Sequence, residues 1–492
     1  MKCYQSRSLL FITFIAAALL LFLCLDSFSI DTSGCLSDLK GGEASHGSPA
    51  PWFAVVPFVV LLLLIAIGPL FYEHWWHKNY PYVSVALASI VVSGYIFFLH
   101  NVHAPIHALA EYVQFIALIA SLYVAAGGIL IQIDKKGTPL SNVILLLIGA
   151  VISNLIGTTG ASMLLIRPYM RLNKDRIKPY HVVFFIFIVS NIGGSLTPIG
   201  DPPLFLGFLK GIPFSWPLLH NILPWMFAIA LLLTIFWLKD RRNKEEDAFF
   251  ASPDEPIHEY TNRIRLVGTK NFLWLAVVIA SVFIDPNVFD WVPGIVYDGQ
   301  TFSYIREAIM LSVAVLSFRL ASQEALRGNE FNFEPIREVG FVFIGIFGTM
   351  MPALELVADF AKSPAGAALI TPNTLYWGTG LLSGFLDNAP TYLNFLAAAM
   401  AAQDSSIGNM EQVKAFAAGV DPFLDSVLQL KAISMAAVFF GAMTYIGNGP
   451  NFMVKAIAEQ VGVRMPTFFG YLLRFSLVYL LPVLIMVWLI FL

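Results

Sequence analysis

Two aspartates stand where carboxylates are costly. Asp201, in Thr197-Pro198-Ile199-Gly200-Asp201-Pro202-Pro203, and Asp387, in Ser383-Gly384-Phe385-Leu386-Asp387-Asn388-Ala389-Pro390, both interrupt long apolar runs. A carboxylate at the centre of a bilayer costs roughly 2.5–3.5 kcal/mol on insertion scales, so it must be protonated, paired or bound to a cation. One carboxylate that a proton and Na+ occupy in turn is the core of an exchange reaction. Na+ is a hard ion that also takes neutral oxygens. The interrupted segments offer them from Ser153, Asn154, Thr158, Thr159, Thr197, Asn388, Thr391, Thr444 and Asn448, besides their own carbonyls.

These segments hold no Lys, Arg or His. An organic dianion would therefore depend on helix N-termini and on co-bound Na+. The residues point first to monovalent cation (Na+ or Li+)/proton antiport, and second to Na+- or H+-coupled uptake of a small carboxylate such as citrate or a dicarboxylate. A receptor or structural membrane protein is a third class. A structural role stays open for both aspartates: Asp and Asn are good N-caps, and Asp201 lies among prolines at what could be a simple kink.

The elements that must position these groups follow from composition. The chain has 492 residues, 58% hydrophobic and 12% charged, with a mean hydropathy of +0.73. Soluble proteins are about 25% charged, so a cytosolic enzyme, a disordered chain and a nucleic-acid binder are excluded. Net charge is -3, which gives no basic stripe for phosphates. Cys3, Cys24 and Cys35 all precede residue 36, so thiol catalysis and Cys-ligated zinc are excluded from the rest. No Walker A sequence is present; coupling is expected to an ion gradient, with no cofactor and no metal beyond the transported Na+.

A bilayer core about 30 Å thick needs roughly 20 apolar residues per helix. Such runs fall near residues 9–25, 52–72, 81–99, 107–133, 138–166, 181–209, 221–238, 271–290, 303–318, 339–358, 374–400, 430–458 and 467–490. The first follows Lys2 and Arg7 and reads as a retained helix or a signal peptide. Residues 138–166 are too long for one span and too short for two. Lys135 and Lys136 precede them, and Arg167, Arg171, Lys174, Arg176 and Lys178 follow. Basic loops stay cytoplasmic, so this segment is expected to enter and return as a re-entrant hairpin with its tip at 153–160. Such backbone is tolerated at membrane depth only against protein or a wet cavity. Residues 374–400 form the second hairpin, opening outside. Lys239, Arg241, Arg242, Lys244, Arg319, Arg327, Arg337, Lys455 and Arg464 then fall inside, and Asp285, Asp290, Asp298, Asp404, Glu411, Asp421 and Asp425 outside.

The interruptions form two pairs. Residues 153–160 align with 383–390, and Thr197–Pro203 with Thr444-Tyr445-Ile446-Gly447-Asn448-Gly449-Pro450, where Asp201 faces Asn448. The expected architecture is all-α: about 11 transmembrane helices, two re-entrant hairpins and two broken helices. An N-terminal helix and outer segment (1–51) precede repeat 1 (52–238), a cytoplasmic connector (239–270) and an oppositely oriented repeat 2 (271–492). Broken helices at matching places of two inverted halves point to a transport site near the midplane, and to a transporter rather than an enzyme.

Gly157-Thr158-Thr159-Gly160-Ala161-Ser162, the stretch Ser190–Pro203, Leu386-Asp387-Asn388-Ala389-Pro390-Thr391 and Gly447-Asn448-Gly449-Pro450-Asn451 resemble the ion transporter superfamily, over roughly residues 52–492. Within it they look closest to NhaD-type sodium/proton antiporters and the related group labelled putative citrate transport. The resemblance implies two inverted repeats with one ion site per half, a homodimer, and elevator-like alternating access in the inner membrane. The superfamily's dicarboxylate symporters carry Ser-Asn-Thr at both hairpin tips. Here the first tip reads Ser153-Asn154-Leu155 and the second lacks the motif.

Weaker candidates remain. Glu355 and Asp359, four apart on one helix, are possible proton carriers or outer-interface residues. His100, His103, His107 and Glu111 read as an interfacial polar cluster or a pH sensor, not a metal site. Trp75, Trp76 and Tyr80 suggest an interfacial aromatic belt. Arg167 and Arg171 read as topology determinants rather than ligands. The partners expected are the lipid bilayer and small ions, with a small carboxylate as the alternative and no nucleic acid. The N-terminus is expected in the cytoplasm if the first helix is retained, and the C-terminus outside.

Overall fold

A computed structural model describes residues 50–243 and 263–492, apart from residues 287, 290, 298–299, 421–422 and 424. The expected first helix, the three cysteines, Lys244 and the middle of the connector lie outside the described residues, as do Asp290, Asp298 and Asp421.

Helices dominate. α1 (Val56–Phe71), α2 (Glu73–Phe97) and α3 (His103–Gly127) open the fold. The apolar run at 107–133 was expected to be helical throughout, but α3 stops at Gly127-Gly128. Beyond it β1 (Leu130–Asp134) pairs antiparallel with β2 (Arg263–Val267), Leu130 opposite Val267 and Asp134 opposite Arg263. The helix ends at two glycines where a Cβ would collide with the Phe331 ring and the Asn271 amide, and the alternation Leu-Ile-Gln-Ile-Asp suits a strand.

α4 (Pro139–Leu172) starts with a capping box between Thr138 and Ser141 and Pro139 in its first turn. It is not a rod. Asn142 donates to the Asn173 side chain at 2.8 Å, whereas 31 residues of straight helix would separate them by about 46 Å. The chain reverses at Gly157, the one residue with non-helical backbone (φ 77°, ψ 156°). That region is essentially glycine-only and costs other residues about 1–3 kcal/mol; an added Cβ would also lie 3.3 Å from the Ile199 carbonyl oxygen. Gly157→Ala is therefore expected to destabilise the protein by about 1–3 kcal/mol. Thermal unfolding in detergent checks this, and an unchanged transition would mean that the tip tolerates a Cβ.

α5 (Pro179–Ile188) follows, then an unwound stretch with one 3-10 turn (Ile192–Gly194), α6 (Pro202–Lys210) and α7 (Trp216–Asp240). The second half contains α8 (Lys270–Val282), the ribbon β3 (Ile295–Tyr297) and β4 (Gln300–Phe302), α9 (Ile305–Arg319), α10 (Gln323–Gly328), α11 (Glu334–Lys362) and the short α12 (Pro364–Ala367). α13 (Pro372–Phe385) and α14 (Asn388–Ala401) meet at Leu386-Asp387, both extended. They too fold back on each other: a Cβ on Gly378 would lie 3.0 Å from the Phe395 ring, across 17 residues that a straight helix would spread over about 25 Å. α15 (Met410–Ala418), α16 (Ser426–Phe440), a 3-10 turn (Gly441–Met443), α17 (Gly449–Gln460) and α18 (Phe468–Phe491, π-helical over Leu472–Leu480) complete the chain.

Seven described helices are long and apolar enough to cross a membrane: α2, α3, α4, α7, α11, α16 with its 3-10 extension, and α18. Three shorter apolar helices lie at Trp52–Gly68, Pro179–Gly194 and Lys270–Val282. Of the 11 expected, the one at 9–25 lies outside the described residues, those at 52–72, 271–290 and 303–318 are shorter helices, and the break in 181–209 leaves short pieces; α4, one of the seven, is the expected first hairpin. α5 and α16 form the centre, with Val182–Val189 and Met435–Phe440 wholly buried. Such helices, apolar all round, need cover on every side. α1, α2 and α18 instead expose Leu63, Ile90, Leu473 and Leu489 at the periphery. The aromatic belt is corrected in part: Trp75 is exposed, but Trp76 and Tyr80 are buried against each other and against α11.

Candidate ion and substrate site

Asp201 sits at the end of the unwound stretch, as N-cap of α6, with extended backbone (φ -145°, ψ 145°). Pro202 and Pro203 follow, and proline has no N–H to cap. The carboxylate accordingly makes no bond to its own helix and turns to three other elements. Thr158 Oγ1 donates to Oδ1 at 2.7 Å, Asn448 Nδ2 to Oδ1 at 2.9 Å, and Asn388 Nδ2 to Oδ2 at 2.6 Å. Thr158 and Asn388 are the first residues past the two hairpin tips, and Asn448 is the N-cap of α17, again without a bond to its own helix. The Thr158 amide also donates to the Gly200 carbonyl at 2.8 Å. All four interruptions thus meet at one buried carboxylate. Asn388 Oδ1 is buried with no hydrogen-bond partner among the described residues, an oxygen available to a cation.

Other predicted residues hold this arrangement together. Ser153 donates to the Val189 carbonyl (2.7 Å) and Ser383 to that of Ala437 (2.6 Å). Thr197 donates to the Asn154 carbonyl (2.5 Å), and Thr444 to that of Gly384 (2.7 Å). Asn154 donates to Gly193 and accepts from the Leu196 amide. With these oxygens engaged on backbone, Ser153, Asn154, Thr197 and Thr444 pin hairpins to unwound segments rather than lining open space. Thr391 donates to the Asp387 carbonyl. Asp387 is an N-cap, accepting from the Ala389 amide at 3.0 Å, and also lines the cavity below. The cap role and the cavity position coexist in one side chain.

A cavity of about 590 Å³ runs from Thr159, Pro202, Asp387 and Asn448 past Trp76, Tyr123 and Met163 to Arg167, Glu330 and Arg337. Arg167 is the residue that sequence reasoning set aside. Its spacing from Thr159 and Met163, at i, i+4 and i+8, was the available signal: the three share one helix face. Ser190, Asn191 and Asn451 also tie the halves, Asn191 donating to Asn451 Oδ1 at 2.7 Å and Asn448 reaching Ser190 and Asn191. Glu355 and Asp359 lie elsewhere. Glu355 accepts from Tyr95 (2.8 Å) and the Ala50 amide (3.2 Å), while Asp359 is exposed, and neither lines the cavity. Glu111 pairs with Lys210 at 2.5 Å, and Arg171 is an exposed donor to the Gly328 carbonyl.

Apolar helices of membrane-crossing length, folded around a polar site made from helix breaks, define a mostly helical membrane protein. The chain belongs to the family described as Putative citrate transport, which matches residues 47–492. None of the curated proteins compared with it matches. The matched family is the citrate-transport group of the resemblance; kinship with NhaD-type antiporters rests on the motifs alone.

Proposed function

We propose that this chain is a secondary active transporter that moves a small carboxylate together with a cation, Na+ or H+, held at Asp201. The convergence of Thr158, Asn388 and Asn448 on that carboxylate carries the reading. A cation there would take carboxylate oxygen, threonine oxygen and Asn388 Oδ1, a hard donor set. The adjoining cavity is far larger than an ion needs, and the family points the same way.

The alternating-access part of this proposal uses two inverted repeats, residues 52–238 and 271–492. Their support is a set of recurring hydrogen bonds: Ser153 with Ser383, and Thr197 with Thr444, make equivalent bonds in the two halves. On the positive-inside orientation the hairpins are re-entrant, the cavity mouth near Arg167 and Arg337 faces the cytoplasm, and the C-terminus lies outside. Homodimerisation in the inner membrane belongs to the same reading.

Cation/proton antiport is the second reading. It is favoured by one observation: Asp201 and Asp387 are the charged side chains at the four interruptions. Proteoliposomes decide between the two. Labelled citrate or succinate is expected to accumulate only under an imposed Na+ or pH gradient. Collapse of a pH gradient by Na+ or Li+ alone, with no carboxylate uptake, would replace the first reading by the second.

A further inference from the structure

We propose that Arg167 is the carboxylate-recognising residue of the cavity and that Glu330 occupies its guanidinium when no substrate is bound. This deepens the carboxylate-transport reading and rests on it.

Arg167 is the buried cation among the described residues that line the cavity, 8% exposed, whereas Arg337 and His77 at its mouth are exposed. Its Nη2 donates to Glu330 Oε2 at 3.3 Å, and Glu330 is 67% exposed. Ion pairs with so exposed a partner contribute little. Nη1 is buried and has no hydrogen-bond partner among the described residues. A guanidinium carries five N–H donors in a fixed fork that matches a carboxylate. Leaving Nη1 unused in a buried place is costly, and an anion that displaces Glu330 and reaches it would remove that cost.

Glu330 suits a placeholder. Its backbone has φ 47°, uncommon for a residue other than glycine. Its neighbour Asn329 fixes the loop by donating to the Gly127 and Ile129 carbonyls at 3.0 and 2.6 Å. The glutamate thus presents its carboxylate to Arg167 from a held position, in the manner that one end of a di- or tricarboxylate would. The substrate's carboxylate displaces Glu330, takes the Nη1 and Nη2 edge, and leaves its remaining polar groups toward Thr159 and the N-terminus of α17.

Isothermal titration of the purified full chain with citrate, succinate and acetate, in saturating Na+, tests this. Arg167→Gln is expected to weaken citrate and succinate binding by about 10- to 100-fold, the range of a charge-assisted hydrogen bond, while Na+-induced thermal stabilisation persists. Glu330→Gln is expected to tighten binding several-fold, because the competitor loses its charge; it keeps Arg167 intact and serves if Arg167→Gln does not fold. Wild-type affinity in Arg167→Gln, or unchanged or weaker binding in Glu330→Gln, would overturn the assignment and leave the transporter reading standing. If the wild-type chain responds to Na+ or Li+ but to none of the three carboxylates, the assignment and the carboxylate reading fall together.

Discussion

Asp201→Asn is expected to lower coupled transport by about 100-fold or more while the protein still reaches the membrane. The physical reason lies in the donor set. Thr158, Asn388 and Asn448 all give hydrogen bonds to the carboxylate, and bonds to a charged group contribute about 1.5–3 kcal/mol each. An amide keeps the volume but loses the charge, and its Nδ2 would face donors instead of acceptors. Two such bonds suffice for about a hundredfold, at 1.4 kcal/mol per decade. Uptake in proteoliposomes, with surface amounts measured separately, checks the expectation. Wild-type coupling in Asp201→Asn would reduce the carboxylate to a structural tie between the two halves. Asn388→Ala should be milder, since Thr158 and Asn448 still hold Asp201.

Asp240→Ala is expected to destabilise the protein by about 3–5 kcal/mol, the usual result of removing one partner from a buried ion pair. Asp240 ends α7 and its side chain is wholly buried. Arg176 Nη1 and Nη2 grip its two oxygens at 3.0 and 2.9 Å, Tyr180 donates at 2.7 Å, and Asn142 at 3.0 Å. His181 Nε2 lies at 3.0 Å. Asn142 and Asn173 stand at the two feet of the first hairpin, Arg176 in the connection to α5, so one aspartate fastens the hairpin's base to α7. Without it the Arg176 charge is left buried and unpaired. Thermal unfolding in detergent measures the loss, and the double variant Arg176→Met/Asp240→Leu should recover much of it because no charge is then stranded. A single variant that unfolds like wild type would mean that water replaces the carboxylate.

These two aspartates mark how far sequence reasoning reaches. Asp201 was legible because proline, glycine and a carboxylate inside an apolar run conflict with a simple span. Asp240 was not: at the end of a hydrophobic segment, next to basic residues, it reads as an ordinary interfacial charge. The two fold-backs were legible from run length, with basic flanks for the first and the interruption Asp387-Asn388-Ala389-Pro390 for the second, and Gly157 and Asp387 are where the chain turns. β1 was missed because hydropathy alone runs on through residues 107–133; the Gly127-Gly128 break and the alternation of Leu-Ile-Gln-Ile-Asp were the signals, and its partner at residues 263–267 is far away in the chain. Trp76 was placed at the membrane interface because aromatic identity says nothing about burial.

By itself, then, the sequence determined the solvent and the places where polar groups interrupt the apolar runs. Its hydropathy demands a bilayer, and its interruptions mark where backbone cannot stay helical and where oxygens are concentrated. Those are local properties, carried by residue type and by neighbours along the chain. Only the tertiary structure decided which oxygens meet. Thr158, Asp201, Asn388 and Asn448 come from four segments spread over 290 residues, and nothing local says that Asp201 receives the other three while Asp387 caps α14. The same holds for Arg167, whose burial against a cavity, with one nitrogen unengaged among the described residues, is a property of the packing around it.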